Sequence, residues 1–368
     1  AAAAGKAGAA ATTGGSGADE SSEDASGTPA VYSAFANGTG LYTAVSEDED
    51  YETFVVLSRS AAGATHGKTS LRTRDALGLT TYDGPLSGTT GFGYAEPVSG
   101  IYPALATSAL PRAQASSPGS NASDRHGVVD SWEEYPVVAK GIHASADART
   151  SSSASTGCQT SKPLSESESE AAGISSDPAS YLSYFGVPFP LGKIIQMSSI
   201  TSRSETSLAV TGARGTVVAS STVWLPKIVL LPGSPQQVQL GFEQPLEMTV
   251  RASGVAGGAT VTYAPPSPGE PFVTITTATG STSRTWNSSG YAYDLGPVHL
   301  TIGKPAETTL AADGITASAS ADVLTGSIDQ FTSRASDPTG GYLSIGYHLR
   351  AGHLEAQATA PAGGVPCE

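Results

Sequence analysis

The sequence has little of several residue types, and each shortage narrows what the chain can be. Among 368 residues there are two cysteines, two methionines and three tryptophans. Charged residues make up only 14%, and the 19 Lys and Arg are outnumbered by 33 Asp and Glu, for a net charge of −14. Nucleic-acid binding needs clustered Lys and Arg, so we expect no nucleic-acid partner. No run of about 18 apolar residues occurs, so we expect no membrane span.

Long helices are also disfavoured by the composition. The chain has 43 Gly and 24 Pro, and roughly a quarter of its residues are Ser or Thr, so nearly every helical window is interrupted. Much of the 39% hydrophobic content is Ala, which leaves few large core residues. Short strands with turns about every ten residues predict an all-β fold of two or more β-sandwich-like units, Ig-like or jelly-roll-like.

Composition divides the chain into four predicted parts. Residues 1–29 are a low-complexity N-terminal extension of Ala, Gly, Ser and Thr, whose small residues suit a strand that adds to the edge of another sheet. Residues 30–156 are predicted to form an N-terminal β domain and residues 157–189 a polar linker. Residues 190–368 are predicted to form a C-terminal β domain with an internal duplication.

Four local patterns predict structure within these parts. Asn37-Gly38 predicts a hairpin turn. The polar region of residues 157–180, which contains the Ser-Glu repeat of Ser165–Glu170, predicts either a solvated loop or a short helix around Glu168–Ala172. Trp224, inside an apolar run, is predicted to lie in the core, and Gly341–Ala358 is predicted to form a pair of strands.

The predicted duplication rests on two similar stretches. Leu191–Leu225 and Leu295–Leu324 share one order: Leu-Gly, a strand, Glu-Thr-Ser/Thr-Leu-Ala, a glycine turn and a second strand. Composition alone could also produce this likeness, because strands of Ala, Ser and Thr resemble one another.

The cysteines and the first residues predict a secreted protein. Cys158 and Cys367 both lie in polar segments rich in Gly, Ser and Pro, which favours a disulfide between them. The alternatives are two unpaired surface thiols or bonds to other chains. The chain opens on Ala1–Ala4, as a product cleaved after a small-residue site would.

All three asparagines of the chain lie in Asn-x-Ser/Thr sequons, which makes Asn37, Asn121 and Asn287 candidate N-glycosylation sites. For Asn37, the turn-forming Asn-Gly pair is an alternative explanation of the residue.

No pattern of catalytic or metal-ligating residues emerges. The six histidines lack metal-site spacing, and the Gly-x-Ser-x-Gly nucleophile turn is missing. We therefore expect no enzymatic activity, no cofactor and no metal. One group of aromatic residues, Trp286, Tyr291 and Tyr293, could form a small platform on which a sugar ring stacks.

Strands such as Glu307–Ala319, built from Ala, Ser and Thr around a glycine turn, resemble those of secreted, wall-associated β-rich surface proteins of high-GC actinobacteria, the choice-of-anchor type. The resemblance covers mainly residues 190–330. It implies an extracellular surface or matrix role and carries no functional residues.

Together these observations predict a secreted structural subunit of an extracellular filament, pilus-like fibre or surface layer. It would form a homopolymer through residues 1–29. The alternative is a carbohydrate-binding or adhesive surface module that contacts glycans through the aromatic platform.

Overall fold

The structure is a computed structural model. It describes the following residues: 32–47, 51–66, 69–74, 80–86, 89–101, 113–117, 123–129, 132–134, 137–148, 163–176, 193–333 and 342–367.

Strands account for the secondary structure of this described part, which contains no helix. In chain order they are β1 (Tyr32–Glu47), β2 (Tyr51–His66), β3 (Thr69–Arg74), β4 (Thr80–Leu86), β5 (Thr89–Ile101), β6 (Ala113–Ser117), β7 (Ser123–Val129), β8 (Trp132–Glu134), β9 (Val137–Ala148), β10 (Ser165–Ser176), β11 (Ile195–Thr211), β12 (Arg214–Trp224), β13 (Lys227–Leu230), β14 (Val238–Phe242), β15 (Leu246–Ala252), β16 (Thr260–Ala264), β17 (Pro271–Thr277), β18 (Gly280–Thr285), β19 (Tyr291–Leu295), β20 (Val298–Ile302), β21 (Glu307–Leu310), β22 (Thr316–Ser333), β23 (Tyr342–Thr359) and β24 (Val365–Pro366).

Two large antiparallel sheets contain most of these strands. The nine-stranded sheet has the order β19-β20-β22-β23-β1-β2-β5-β6, with β21 also paired to β22. The 13-stranded sheet has the path β16-β15-β12-β11-β13-β14-β17-β18, and β10, β9, β7 and β8 extend it beyond β11, while β24 pairs with β12. A separate two-stranded sheet joins β3 and β4. The predicted all-β, sandwich-like fold is confirmed.

Where β1 crosses β11 and β12, the two large sheets pack face to face with unusually small residues between them. Cα atoms of β1 lie within 8 Å of Cα atoms of β11 and β12, whereas stacked sheets normally lie about 10 Å apart. At Gly38 a Cβ atom would lie 3.1 Å from Ser221 Oγ and 3.2 Å from Ser60 Oγ. Glycine and serine at these positions therefore allow the close approach of the sheets.

A seam of buried hydroxyl groups joins the sheets at this point. Ser60 Oγ lies 2.9 Å from Ser204 Oγ on the opposite sheet. The Ser221 hydroxyl donates a hydrogen bond of 2.7 Å to the carbonyl oxygen of Asn37, again between sheets. Each buried hydroxyl in these bonds has a partner, so the polar seam avoids the cost of unsatisfied buried groups.

One glycine changes which face of β23 points to the core. Before it the core residues are Tyr347, Leu349 and Ala351, and after it they are Leu354 and Ala356, so the alternation shifts by one. Gly352 itself has φ +71°, and a Cβ there would lie 2.5 Å from Val323 Cγ2. Only glycine adopts this conformation at little cost in such a confined place.

The predicted domain boundaries do not separate folding units. The nine-stranded sheet joins β1 and β2, from residues 30–156, to β23, from residues 190–368. The predicted linker, residues 157–189, contains β10, which pairs with both β9 and β11 inside the 13-stranded sheet. Strand pairing among the described residues therefore crosses these boundaries, because pairing between distant strands overrides local composition. Residues 1–29 lie outside the described part.

The two similar stretches occupy opposite sheets. In the first, β11 folds back on β12 in the 13-stranded sheet. In the second, the short β21 folds back on β22 in the nine-stranded sheet. Each stretch is an antiparallel pair, as predicted, but their neighbours and strand lengths differ.

Three local predictions are wrong. No turn forms at Asn37-Gly38, because β1 continues through both residues with partners on each side. Ser165–Glu170 is neither loop nor helix but the first half of β10. The expected pair within Gly341–Ala358 is the single 18-residue strand β23. In each case cross-strand partners on both sides favour the extended conformation.

Within the described residues, no helix has the length and apolar character needed to cross a bilayer.

Candidate functional site

The outer face of the 13-stranded sheet carries a row of carboxylates. Along β10 the serines Ser165, Ser167 and Ser169 are buried, while the glutamates between them, Glu166, Glu168 and Glu170, are half-buried and point away from the other sheet. This alternation follows the two-residue period of a strand. The Ser-Glu repeat thus places serine in the hydroxyl seam and glutamate on the surface.

Arg203 on β11 bridges one carboxylate of this row, Glu166, and the carboxylate of Glu205 on its own strand. Glu166 and Glu205 are direct cross-strand neighbours, an arrangement that like charges disfavour. Arg203 Nη2 lies 2.8 Å from Glu166 Oε1 and 3.3 Å from Glu205 Oε2. Burial raises the pKa of Glu205 and Glu166 raises it further, against the lowering effect of Arg203, so this carboxyl titrates above its ordinary range.

A shallow depression of about 220 Å³ lies beside this cluster. Its walls come from three neighbouring strands, β11, β12 and β15, and are formed by Arg203, Glu205, Ser220, Thr222, Glu247 and Thr249. The polar groups that line it are three hydroxyls, two carboxylates and one guanidinium. No group of three or more His, Cys, Asp or Glu suited to a metal ion occurs in the parts of the chain that the structure describes.

A second charged cluster is buried in the nine-stranded sheet. Asp322 on β22 lies directly opposite His353 on β23, and its Oδ1 is 2.8 Å from His353 Nδ1 and 2.8 Å from Arg350 Nε. Burial alone would raise the pKa of Asp322, but the hydrogen bonds and charges of His353 and Arg350 lower it below its ordinary value. Asp322 therefore remains a carboxylate with two partners.

Asn37, a predicted glycosylation site, lies beside this cluster and is fully buried. It faces Glu355 across the sheet, and the neighbouring Thr39 faces His353. Neither the Asn37 amide nor the Thr39 hydroxyl has a hydrogen-bond partner in the described structure. A glycan needs an exposed amide, so the folded chain does not present Asn37 as an acceptor.

The other two sequons differ in position. Asn287 lies in the connection from β18 to β19, where its Oδ1 accepts a hydrogen bond from the backbone N–H of Ser289 at 3.0 Å. Ser288 and Ser289 are exposed there. Asn121 lies outside the described residues. Glycosylation of Asn287 and Asn121 stays a prediction.

Two of the three aromatic residues of the predicted platform, Tyr291 and Tyr293, lie together with ring centroids 6.4 Å apart. The Trp286 ring packs edge-on against Tyr263 and Phe272, with ring centroids 5.1 Å and 5.0 Å away. Trp286 and Tyr293 both pack against the main hydrophobic core. Tyr291 is half-buried, and its hydroxyl donates to the Thr285 carbonyl at 3.1 Å. Trp286 is thus a partly buried side chain at the margin of the core, and the sugar-stacking platform stays a prediction.

Trp224 was predicted in the core but is 45% exposed. Along β12 the residues Val217, Ala219, Ser221 and Val223 point inward, so the alternation turns Trp224 outward. The apolar run around it continues into β13, which starts a new alternation.

The predicted disulfide cannot be placed, because Cys158 lies outside the described residues. Its predicted partner, Cys367, follows β24, whose residue Pro366 pairs with Arg214 on β12. The Cys367 backbone N–H donates to the Ala213 carbonyl at 3.0 Å. These bonds tie the chain near Cys367 to the 13-stranded sheet, and the Cys158–Cys367 bridge stays a prediction.

The sequence analysis did not identify β18 as a feature of interest. This strand ends one arm of the 13-stranded sheet, and among the described strands it pairs with β17 alone. All six residues of β18, Gly280–Thr285, are exposed. The sequence does indicate that this strand lies outside the core, because Gly-Ser-Thr-Ser-Arg-Thr contains no large apolar residue.

No protein-family model and no curated protein matches this chain.

Proposed function

We propose that this chain is a secreted structural subunit of an extracellular filament, pilus-like fibre or surface layer, and that copies join through residues 1–29. The observation that carries the proposal is the set of long strands at the centre of the nine-stranded sheet. β1 and β2 have 16 residues each and β22 and β23 have 18 each, whereas strands in globular proteins usually have about 5–6 residues.

The arrangement of these strands supports a load-bearing role. β1 is paired along its length with β2 on one side and with β23 on the other, so distant parts of the chain form one continuous ladder. At about 3.3 Å per residue, strands of this length extend for about 60 Å. Two hydrogen-bonded sheets with strands of this length, packed closely at the hydroxyl seam, would make a rigid subunit.

The surface is also consistent with an extracellular setting. The row of carboxylates on β10 contributes to the net charge of −14, which favours solubility of the free subunit before assembly. The resemblance to wall-associated surface proteins points to the same environment, and secretion is part of the proposal.

Electron microscopy of the purified protein tests the proposal. We expect filaments or sheets from the full chain, and folded monomers from a variant that lacks residues 1–29. Circular dichroism and cooperative unfolding of the shortened chain are the controls for folding. Monomeric full-length protein across a broad concentration range, or normal assembly of the shortened chain, would contradict the proposal.

A further inference from the structure

We propose that the open edge of β18 is the acceptor for residues 1–29 of a second copy, which adds to the 13-stranded sheet as a further strand. This inference rests on the proposed function and names the surface through which the copies join.

Folding of a single chain does not account for β18. The core-facing residues of its neighbour β17, Val273 and Ile275, are buried, but the residues opposite them on β18, Arg284 and Thr282, are exposed. The core therefore ends at β17. Ordering β18 costs conformational entropy without burying an apolar side chain, and an intermolecular partner would supply the missing stabilisation.

The hairpin geometry shows which backbone groups face the open side. Only Ala278 and Thr279 separate the closing pair, Thr277 and Gly280. In such a hairpin the closing pair is hydrogen-bonded and the pairs then alternate. Ser281 and Ser283 therefore occupy non-hydrogen-bonded positions toward β17, and their N–H and C=O groups point to the open edge.

Side-chain contacts agree with this assignment. Non-hydrogen-bonded pairs bring side chains closest together. The Thr276 and Ser281 hydroxyls lie 3.0 Å apart, and those of Thr274 and Ser283 lie 2.9 Å apart. These contacts hold the hydroxyls against β17 and leave the outward backbone groups accessible.

β18 also carries less protection against strand addition than three other edge strands, β16, β19 and β21. Charged residues and proline commonly protect edge strands. β19 carries the exposed Asp294, β21 carries Glu307 with Lys304 3.9 Å away, and β16 runs directly into Pro265. β18 has one charged residue, Arg284, which lies over the Tyr291 ring at 6.0 Å from its centroid.

Residues 1–29 have the composition that this edge accepts. They contain no proline before Pro29, so every earlier residue can donate to a ladder, and Ala9–Thr13 is a run of small residues. Four acidic residues, Asp19, Glu20, Glu23 and Asp24, complement the positive charge of Arg284. A second copy of β18 offers no such opposite charge, which favours residues 1–29 as the occupant.

Ser283→Pro in the full chain tests the backbone contact. Proline removes one outward N–H without removing a backbone hydrogen bond to β17, and Ser283→Ala is the matched control for the lost hydroxyl contact with Thr274. Relative to Ser283→Ala, we expect the concentration needed for assembly to rise at least about tenfold, with similar urea unfolding of the two variants. Wild-type protein that assembles alongside an equally competent Ser283→Pro variant would overturn the inference and leave the proposed function intact.

Arg284→Glu tests the charge contact, and Arg251→Glu is its matched control on the exposed face of β15. Both variants change the net charge equally, but only the first places a negative charge on β18. We expect weaker assembly of Arg284→Glu alone. Equal effects of the two reversals would contradict a specific contact at this edge.

Cross-linking identifies the occupant directly. A photoreactive residue at position 281 is placed in an isotopically labelled full chain, which is then mixed with unlabelled chain. We expect cross-links to residues 1–29 of the unlabelled copy. Cross-links to β18 of another copy, to residues 1–29 of the same copy, or to no part of residues 1–29 would overturn the inference. Failure of the wild type to assemble would instead count against the proposed function.

Discussion

Ser60 Oγ and Ser204 Oγ lie 2.9 Å apart although the two serines belong to opposite sheets. Ser60 is on β2 of the nine-stranded sheet and Ser204 is at the centre of β11. Both are fully buried. A contact this short between side chains with only one heavy atom beyond Cβ requires the two backbones to lie close together, so the seam limits the size of every residue in it.

Substitutions at Ser204 test this limit. Ser204→Ala removes the hydrogen bond and should lower the free energy of unfolding by about 1 kcal/mol. Ser204→Leu should cost more, about 3 kcal/mol, because added methylenes in a closely packed interface force the sheets apart. Urea denaturation measures both values. A leucine variant as stable as the alanine variant would contradict this prediction, because it would show that the interface accommodates a larger side chain.

The buried carboxylate of Asp322 predicts a pH-dependent stability. Its pKa is lower in the folded chain than its ordinary value of 3.8, so its contribution to stability is complete above that value and is lost as the pH falls through the folded-state pKa. Asp322→Asn should cost about 3 kcal/mol near pH 7, because Arg350 and His353 lose their anionic partner.

Urea unfolding of the wild type and Asp322→Asn across the acidic range checks this prediction. The difference between the two proteins should narrow as the pH falls below 3.8, where Asp322 of the unfolded wild-type chain becomes protonated, and should be smallest below the lower folded-state pKa. A constant difference down to the lowest pH at which both fold would assign the cost to packing rather than charge.

We expect the contribution of Arg203 to the free energy of unfolding to depend on salt concentration. Arg203→Gln leaves Glu166 opposite Glu205 without the guanidinium between them, and should lower stability by up to about 1 kcal/mol at low ionic strength. Salt screens the repulsion between these half-exposed carboxylates, so the loss should shrink at about 0.5 M salt.

Glu205→Gln should have the opposite sign to Arg203→Gln near neutral pH. The pKa of Glu205 is raised by folding, so its favourable contribution is complete below its unfolded-state pKa and is lost as the pH rises through the folded-state pKa. Removing this charge should therefore leave stability unchanged or slightly higher at pH 7. A large loss, measured by urea unfolding, would mean that the ion pair outweighs burial and repulsion.

We expect substitution of Trp286 to lower the stability of the fold, whereas substitution of an open platform residue would weaken ligand binding. Trp286→Ala removes a ring packed against Tyr263 and Phe272 and should cost about 3 kcal/mol. Tyr291→Ala, at a half-buried site outside the main core, should cost less. Thermal unfolding compares the two variants, and an unaltered melting temperature for Trp286→Ala would contradict the core assignment.

The fold class could be predicted from the sequence because Gly, Pro, Ser and Thr exclude long helices over nearly the whole chain. The role of Ser165–Glu170 could not. Its alternation has the period of a strand, but the inward residues are serines, and a buried serine face has the same composition as a solvated loop. Its burial depends on β2 of the opposite sheet, which is distant in sequence.

The location of the candidate contact surfaces was only partly predictable. Trp286, Tyr291 and Tyr293 are close in the chain, as the sequence indicated, but the sequence does not show that Tyr263 and Phe272 pack against the Trp286 ring. Trp224 belongs to an apolar run, and its outward direction follows only from the alternation along β12. Strand order is set by pairing over long distances, which no local pattern records.

The pairing of β1 with β23 has a consequence for how the chain is made. Ser33 lies opposite Thr359, 326 positions further along the chain (359 − 33), and such non-local pairing slows folding. During synthesis β1 can pair with β2 soon after both emerge, but its other edge lacks its β23 partner until β23 has been made. The nascent chain therefore presents a long unsatisfied strand edge over this interval, and we expect it to depend on chaperones until β23 is available.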